Sequence, residues 1–261
     1  MRRCPSTTCQ TASATSCFAR TAGRSTSNAS PTRPPARVQL FATCVGDLVF
    51  PDAVEDAERL LSAAGYEVEF PRRQVCCGQP AFNAGHRAAA RRIARGFVRA
   101  FARDAPVIVP SGSCVTMLSH YLPELLGVEP FEVWELSAFL DAAGFEPTKT
   151  NDGRTVAYHD SCHMLRELHI AEPPRRLLER SGAVVAALPR PDLCCGFGGT
   201  FSVRQPEISA AMADDKLAGA NAVDALVTAD PGCLMQLRAR AGRAGGPHVV
   251  HLATALARGV A

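Results

Sequence analysis

Short apolar runs alternate along this chain with longer stretches whose apolar positions recur at helical spacing. Residues 38–43 predict a strand, 53–64 a helix, 66–70 a strand, 84–103 a helix, 107–109 a strand and 114–126 a helix. The same order returns in residues 155–158, 174–181, 183–188, 206–220, 225–228 and 233–241, and residues 249–252 add a last strand. Strands alternating with helices predict parallel sheets joined by crossovers, hence an α/β fold of two pseudo-symmetric lobes. The expected boundaries are a first lobe over 38–147 and a second over 148–261.

Residues 1–37 depart from this rhythm. They are rich in Ser, Thr, Arg and Pro with almost no apolar periodicity, so they are expected to be a disordered extension. An organellar transit peptide or an over-extended start has a similar composition. Residues 1–46 hold six arginines and no acid, whereas the remainder holds 22 basic and 25 acidic side chains. The rest of the chain therefore lacks a nucleic-acid footprint. No run approaches the length of a membrane span, and a cytoplasmic location is expected.

The strongest chemical signal is a cysteine pattern that occurs twice. Cys44, Cys76-Cys77-Gly78 and Cys114 form one set, and Cys162, Cys194-Cys195-Gly196 and Cys233 the other. The sets are offset by 118 residues, slipping to 119 at the last cysteine. Four thiols kept in register imply convergence on one point, where a metal or an iron-sulfur cluster is the natural occupant. Disulfides make poor use of adjacent cysteines. Cys4, Cys9 and Cys17 fall outside both sets and are expected to be unligated. Because ligands gather outside the carboxyl ends of strands in open α/β sheets, each set is expected at one sheet edge. Gly78 and Gly196 would turn the backbone so that neighbouring sulfurs face inward. Helix N-termini near Cys114 and Cys233 would favour thiolates. A structural zinc site also matches a four-cysteine count, although the paired C-x2-C knuckles of such sites are absent.

These residues resemble the cysteine-rich CCG domain family, which includes the cysteine-rich subunit of heterodisulfide reductase and the iron-sulfur subunits of glycolate oxidase and anaerobic glycerol-3-phosphate dehydrogenase. Pro110-Ser-Gly-Ser-Cys114, His159-Asp-Ser-Cys-His163 and Cys194-Cys-Gly-Phe-Gly-Gly199 are most similar to the lactate-utilisation A subfamily, over about residues 38–258. In the reductase the last cysteine opens a Cys-x-x-Cys, whereas Met117 and Gln236 stand at the second position here. Five-thiolate ligation of a non-cubane cluster is therefore not expected. The resemblance implies an electron-transfer subunit in oxidation of L-lactate to pyruvate, with a ferredoxin-like iron-sulfur subunit and a third small subunit as partners. It further implies one [4Fe-4S] cluster on Cys44, Cys76, Cys77 and Cys114, and another on Cys162, Cys194, Cys195 and Cys233.

Other groups carry two readings each. His159 or His163 could move the proton of a hydroxy-acid substrate, or both could hydrogen-bond to backbone or cluster sulfur while Asp160 or Ser161 caps a helix. Arg166 could grip a carboxylate or lie in solvent. Arg87, Arg91, Arg95, Arg99 and Arg103 form a basic stripe that is either solvated or a dock for an acidic partner. Gly196, Gly198 and Gly199 lack the spacing of a dinucleotide loop.

Overall fold

The computed structural model describes residues 37–260. Cys4, Cys9, Cys17 and the expected N-terminal extension lie outside the described residues, except Arg37, which opens the first strand. The backbone forms two four-stranded sheets, each wholly parallel. In the first, β1 (Arg37–Leu40), β2 (Glu67–Glu69), β3 (Val107–Val109) and β4 (Val133–Glu135) lie in the order β2-β1-β3-β4. In the second, β5 (Thr155–Tyr158), β6 (Val184–Ala186), β7 (Ala225–Thr228) and β8 (His248–His251) lie in the order β6-β5-β7-β8. The α/β class with paired parallel sheets thus matches the sequence reading.

Helices connect and flank the strands. The first lobe carries α1 (Cys44–Val49), α2 (Pro51–Ala63), α3 (Gln79–Asn83), α4 (Arg87–Ala100), α5 (Gly112–Thr116), α6 (Leu122–Leu126) and α7 (Leu136–Ala142). The second carries α8 (Glu172–Arg180), α9 (Thr200–Arg204), α10 (Pro206–Ala218), α11 (Pro231–Ala244) and α12 (Leu252–Arg258). Wider π-helical turns occupy Met117–Tyr121 and His163–Glu167. The expected helix over 84–103 is shorter, because Gly85 sits at φ 82 and separates α3 from α4, and Phe101 is extended. The pair β4 and α7 was not expected from the pattern. Its strand is three residues long and its central Trp134 points outward, about one-third exposed.

A single apolar cluster crosses from one lobe to the other. Val38, Leu40 and Leu61 from the first half share it with Tyr158, Leu178, Val250 and Leu256 from the second, all fully or almost fully buried. Each such aliphatic side chain contributes about 1.5–3 kcal/mol by leaving water. Along the same seam α2 packs on α12 and α7 on α8. Arg258 bonds Asp56 at 2.8 Å, and Arg180 bonds Asp141 at 2.9 Å, so charge reinforces both contacts. Two smaller clusters fill the outer side of each sheet and include the buried thiols Cys77 and Cys114, or Cys195 and Cys233.

Candidate metal centre

Strand order decides where the thiols meet. In the first sheet the order reverses between β1 and β3, and in the second between β5 and β7. Crevices in α/β sheets open at such switch points, beyond the strands' carboxyl ends. Cys44 and Cys114 follow β1 and β3, and Cys162 and Cys233 follow β5 and β7. Loops from β2 and β6 deliver the adjacent pairs Cys76-Cys77 and Cys194-Cys195 to the same edges.

Local chemistry fixes each thiol. Thr43 Oγ1 accepts from the Gly46 backbone N–H at 3.1 Å, and Ser161 Oγ accepts from Met164 N–H at 3.3 Å, so equivalent hydroxyls cap the turns that carry Cys44 and Cys162. Ser111 and Asp230 cap α5 and α11, the latter accepting from Gly232 and Cys233. Gly78 and Gly196 have φ of 92° and 83°. Their N–H groups then point back to Cys76 Sγ and Cys194 Sγ, each at 3.4 Å.

Within the first set Cys44 lies 3.5 Å from Cys76, and Cys77 lies 3.3 Å from Cys114, sulfur to sulfur. Within the second, Cys195 lies 3.1 Å from Cys233. None of the eight forms a disulfide. Neighbouring thiols and the glycine N–H hold Cys76 and Cys194 far below the usual thiol range, whereas the neighbouring thiol and burial push Cys44 and Cys162 up. Each set thereby stabilises a thiolate.

The two edges face each other. Seven of the eight cysteines line one cavity of about 130 Å³, all except Cys76. Cys76 opens instead, with Cys44, onto a neighbouring cleft that includes the exposed Leu48 and Phe70. Ser113 N–H and Ser111 Oγ donate to Asp230 Oδ2 at 2.9 and 3.2 Å, joining the two capped helix starts across the cavity floor. Met164 packs so close to Gly112 that a Cβ there would lie 2.1 Å from it.

The histidines separate in space. His163 lines the cavity, with Nε2 3.1 Å from Gln79 Nε2, and Nδ1 3.6 Å from Cys162 Sγ. Gln79, which the sequence reading passed over, also donates to Ser113 O at 2.9 Å. His159 is fully buried behind the second set and neither ring nitrogen has a partner among the described residues. One of those nitrogens lies within 4.8 Å of Cys195 Sγ and Cys233 Sγ. Burial, helped by the nearby Lys216 ammonium, lowers His159 to about 3. Asp160 forms a two-point pair with Arg175 at 2.8 and 2.6 Å.

The remaining sequence candidates settle at the surface. Arg166 donates to the Asp192 carbonyl. On the basic stripe, Arg87 stacks on Phe82, Arg91 donates to Leu125 O, and Arg103 donates to Glu129 O and Pro130 O. Arg95 and Arg99 are exposed and have no carboxylate partner among the described residues. The glycine run from Gly196 to Gly199 turns the chain into α9, with Gly198 and Gly199 on the cavity wall.

The duplicated arrangement has a counterpart among known proteins. The profile of the cysteine-rich domain family CCG matches twice, at residues 38–119 and 156–238. The chain belongs to the CCG family. It is 40% identical over 235 residues to lactate utilization protein A of Halalkalibacterium halodurans, covering 84% of this chain and 96% of the relative. Lactate utilization protein A 2 of Bacillus cereus strain Q1 is 37% identical over 239 residues, covering 86% and 99%. Both CCG matches contain one complete thiol set, and the lactate utilization A resemblance read from the sequence holds. Aspartate racemase of Picrophilus torridus aligns over 87% of this chain and 93% of its own at 12% identity, with a TM-score of 0.37, too low to define a shared fold. No helix among the described residues is long and apolar enough to cross a membrane.

Proposed function

We propose that this chain is an iron-sulfur electron-transfer subunit of a cytoplasmic complex that oxidises L-lactate to pyruvate. The observation that carries the reading is the convergence of two four-cysteine sets on one cavity, in a chain similar to proteins named for lactate utilization. Cys44, Cys76, Cys77 and Cys114 would hold one [4Fe-4S] cluster and Cys162, Cys194, Cys195 and Cys233 the other. The donors fit such a group, since each set consists of cysteine sulfurs alone, partly buried, next to a capped helix start, and in the second set beside a buried imidazole with no partner among the described residues. When bound, two clusters would supply a pair of one-electron carriers for the two electrons released by a hydroxy acid.

The protein's own groups then divide the work. His163 and Gln79 face the cavity between the sets, where the Gln79 amide can hold the substrate hydroxyl and the His163 imidazole can take its proton. His159, sealed from the cavity, is left to act on the thiol set itself. The two lobes would form the two halves of the centre, 38–147 and 148–261. Arg95 and Arg99 offer an uncompensated basic face to a ferredoxin-like iron-sulfur subunit and a third small subunit. The test is anaerobic addition of L-lactate to the reconstituted three-subunit complex while the visible absorbance of this chain's clusters is followed. Bleaching that keeps pace with pyruvate formation is expected. Pyruvate formation while these clusters stay oxidised would contradict the role.

A further inference from the structure

The two thiol sets look alike in their ligands but differ in the wall behind them. The glycine of each Cys-Cys-Gly packs on a helix, Gly78 against Ala90 and Ile93, Gly196 against Ser209 and Met212. Those contacts align α4 with α10 at an offset of 119 residues, which puts Lys216 at the position of Phe97. Upstream of the glycines the offset is 118, which puts His159 at the position of Phe41.

In the first lobe these two positions form an aromatic pair. Phe41 and Phe97 meet edge to face with centroids 5.6 Å apart, are fully buried, and share a cluster with Cys77 and Cys114. In the second lobe the same two positions hold an imidazole and an ammonium. His159 is 0% and Lys216 2% exposed. Lys216 Nζ donates to Arg190 O and Pro191 O, both at 2.9 Å, and pairs with no carboxylate among the described residues. Its charge acts on Asp160 and Asp192 and then on Cys195 and Cys233, the same two thiols that His159 approaches.

Such a substitution of an apolar pair by two polar groups is costly. A buried donor or acceptor left without a partner costs about 1–3 kcal/mol, and native structures contain few. An anionic group on the second thiol set would accept the hydrogen bond that His159 lacks and offset the Lys216 charge. A cluster becomes more negative when it gains an electron, so an N–H donor and a nearby cation stabilise its reduced form more than its oxidised form. Phe41 and Phe97 give the first set no such help.

We propose that His159 and Lys216 raise the potential of the second thiol set above that of the first, against the opposing carboxylate of Asp230, which stands where the first lobe has Ser111, so that an electron entering the protein comes to rest in the second lobe. The proposal rests on the two-cluster reading above, and iron counting separates the two. His159 and Lys216 act here on the potential of the centre and are not ligands of it.

The test uses the full chain, reconstituted anaerobically, as wild type and as His159→Phe, Lys216→Met and the reciprocal Phe41→His. Iron and sulfide are measured first. Absence of sulfide from the wild type would overturn both the cluster reading and this inference. With clusters present, a titration followed by electron paramagnetic resonance should resolve two midpoint potentials. In His159→Phe and in Lys216→Met the higher of the two should fall while the lower holds, and in Phe41→His the lower should rise. Potentials that stay in place in both second-lobe variants, or that move together, would overturn the proposal, as would a shift confined to the lower one. Loss of half the iron from His159→Phe would make His159 a ligand and overturn it too. Where Lys216→Met loosens the loop before Cys194, Lys216→Arg keeps the charge and should restore the wild-type potential.

Discussion

Ser111 Oγ donates to Asp230 Oδ2 at 3.2 Å, and the two residues are the same position of the two repeats, 119 residues apart. Each caps the helix whose first turn carries the last cysteine of its own set. The carboxylate goes further and also accepts from Ser113 N–H in the opposite lobe. Asp230 therefore serves both helix starts at once. A lost cap costs about 0.5–2 kcal/mol, so Asp230→Ala should destabilise the chain by about 1–4 kcal/mol, more than Ser111→Ala. Urea unfolding of both single variants and the double should show the double costing less than the sum. Strict additivity would mean that the two caps act independently.

Gly112 opens α5 where Met164 of the other lobe crosses it. A Cβ at 2.1 Å from the Met164 side chain cannot be accommodated without movement. Gly112→Ala should therefore cost about 1–3 kcal/mol of stability. Pairing it with Met164→Ala should recover part of that loss, read as a return of the thermal midpoint. A double variant no better than Gly112→Ala would show that the helix start, and not the lobe contact, is what requires glycine.

Glu135 is fully buried at the end of β4, where its Oε2 caps α7 through Ser137 and Ala138 and its Oε1 has no partner among the described residues. Burial raises its carboxyl to about 7, against the N–H bonds that pull it down. The folded state thus keeps a proton that the unfolded state releases near the ordinary value of 4.5. Stability should fall as pH rises from about 4.5 to 7, by about 3 kcal/mol in all, and level off above. Glu135→Gln carries no such proton, so its stability relative to wild type should improve across that window. Parallel curves for the two proteins in urea unfolding at several pH values would remove Glu135 as the cause.

His163 faces the cavity beside Gln79. Replacing it with Gln keeps a hydrogen bond but removes the proton acceptor, which typically costs about 10² to 10⁴ in rate. Turnover of the assembled complex should drop by that order with the iron count unchanged. Undiminished turnover would move the proton transfer to another subunit.

Much of this architecture is legible in the chain. Strands 107–109, 155–158 and 225–228 stand where the apolar runs put them, because buried parallel strands are near-continuous runs of Val, Ile, Leu and Ala. The thiol register is equally plain. What the pattern hides is the relation between the repeats. Two sets read separately give no sign that they share one cavity, since that depends on how α2 meets α12 and α7 meets α8. Lys216 reads as an ordinary helix-surface lysine until the repeats are aligned through their glycines and it falls on Phe97. Gln79 reads as a loop residue, and only its placement beside His163 gives it a role. Trp134 and Glu135 conceal β4 because the strand is short, with one side chain partly in solvent and one buried acid.

The most direct measurement is the iron, acid-labile sulfide and zinc content of the full chain purified without oxygen. Two four-iron clusters require about eight irons and as many sulfides per chain, with little zinc. Stoichiometric zinc without sulfide would contradict the account, and would make the paired thiol sets structural.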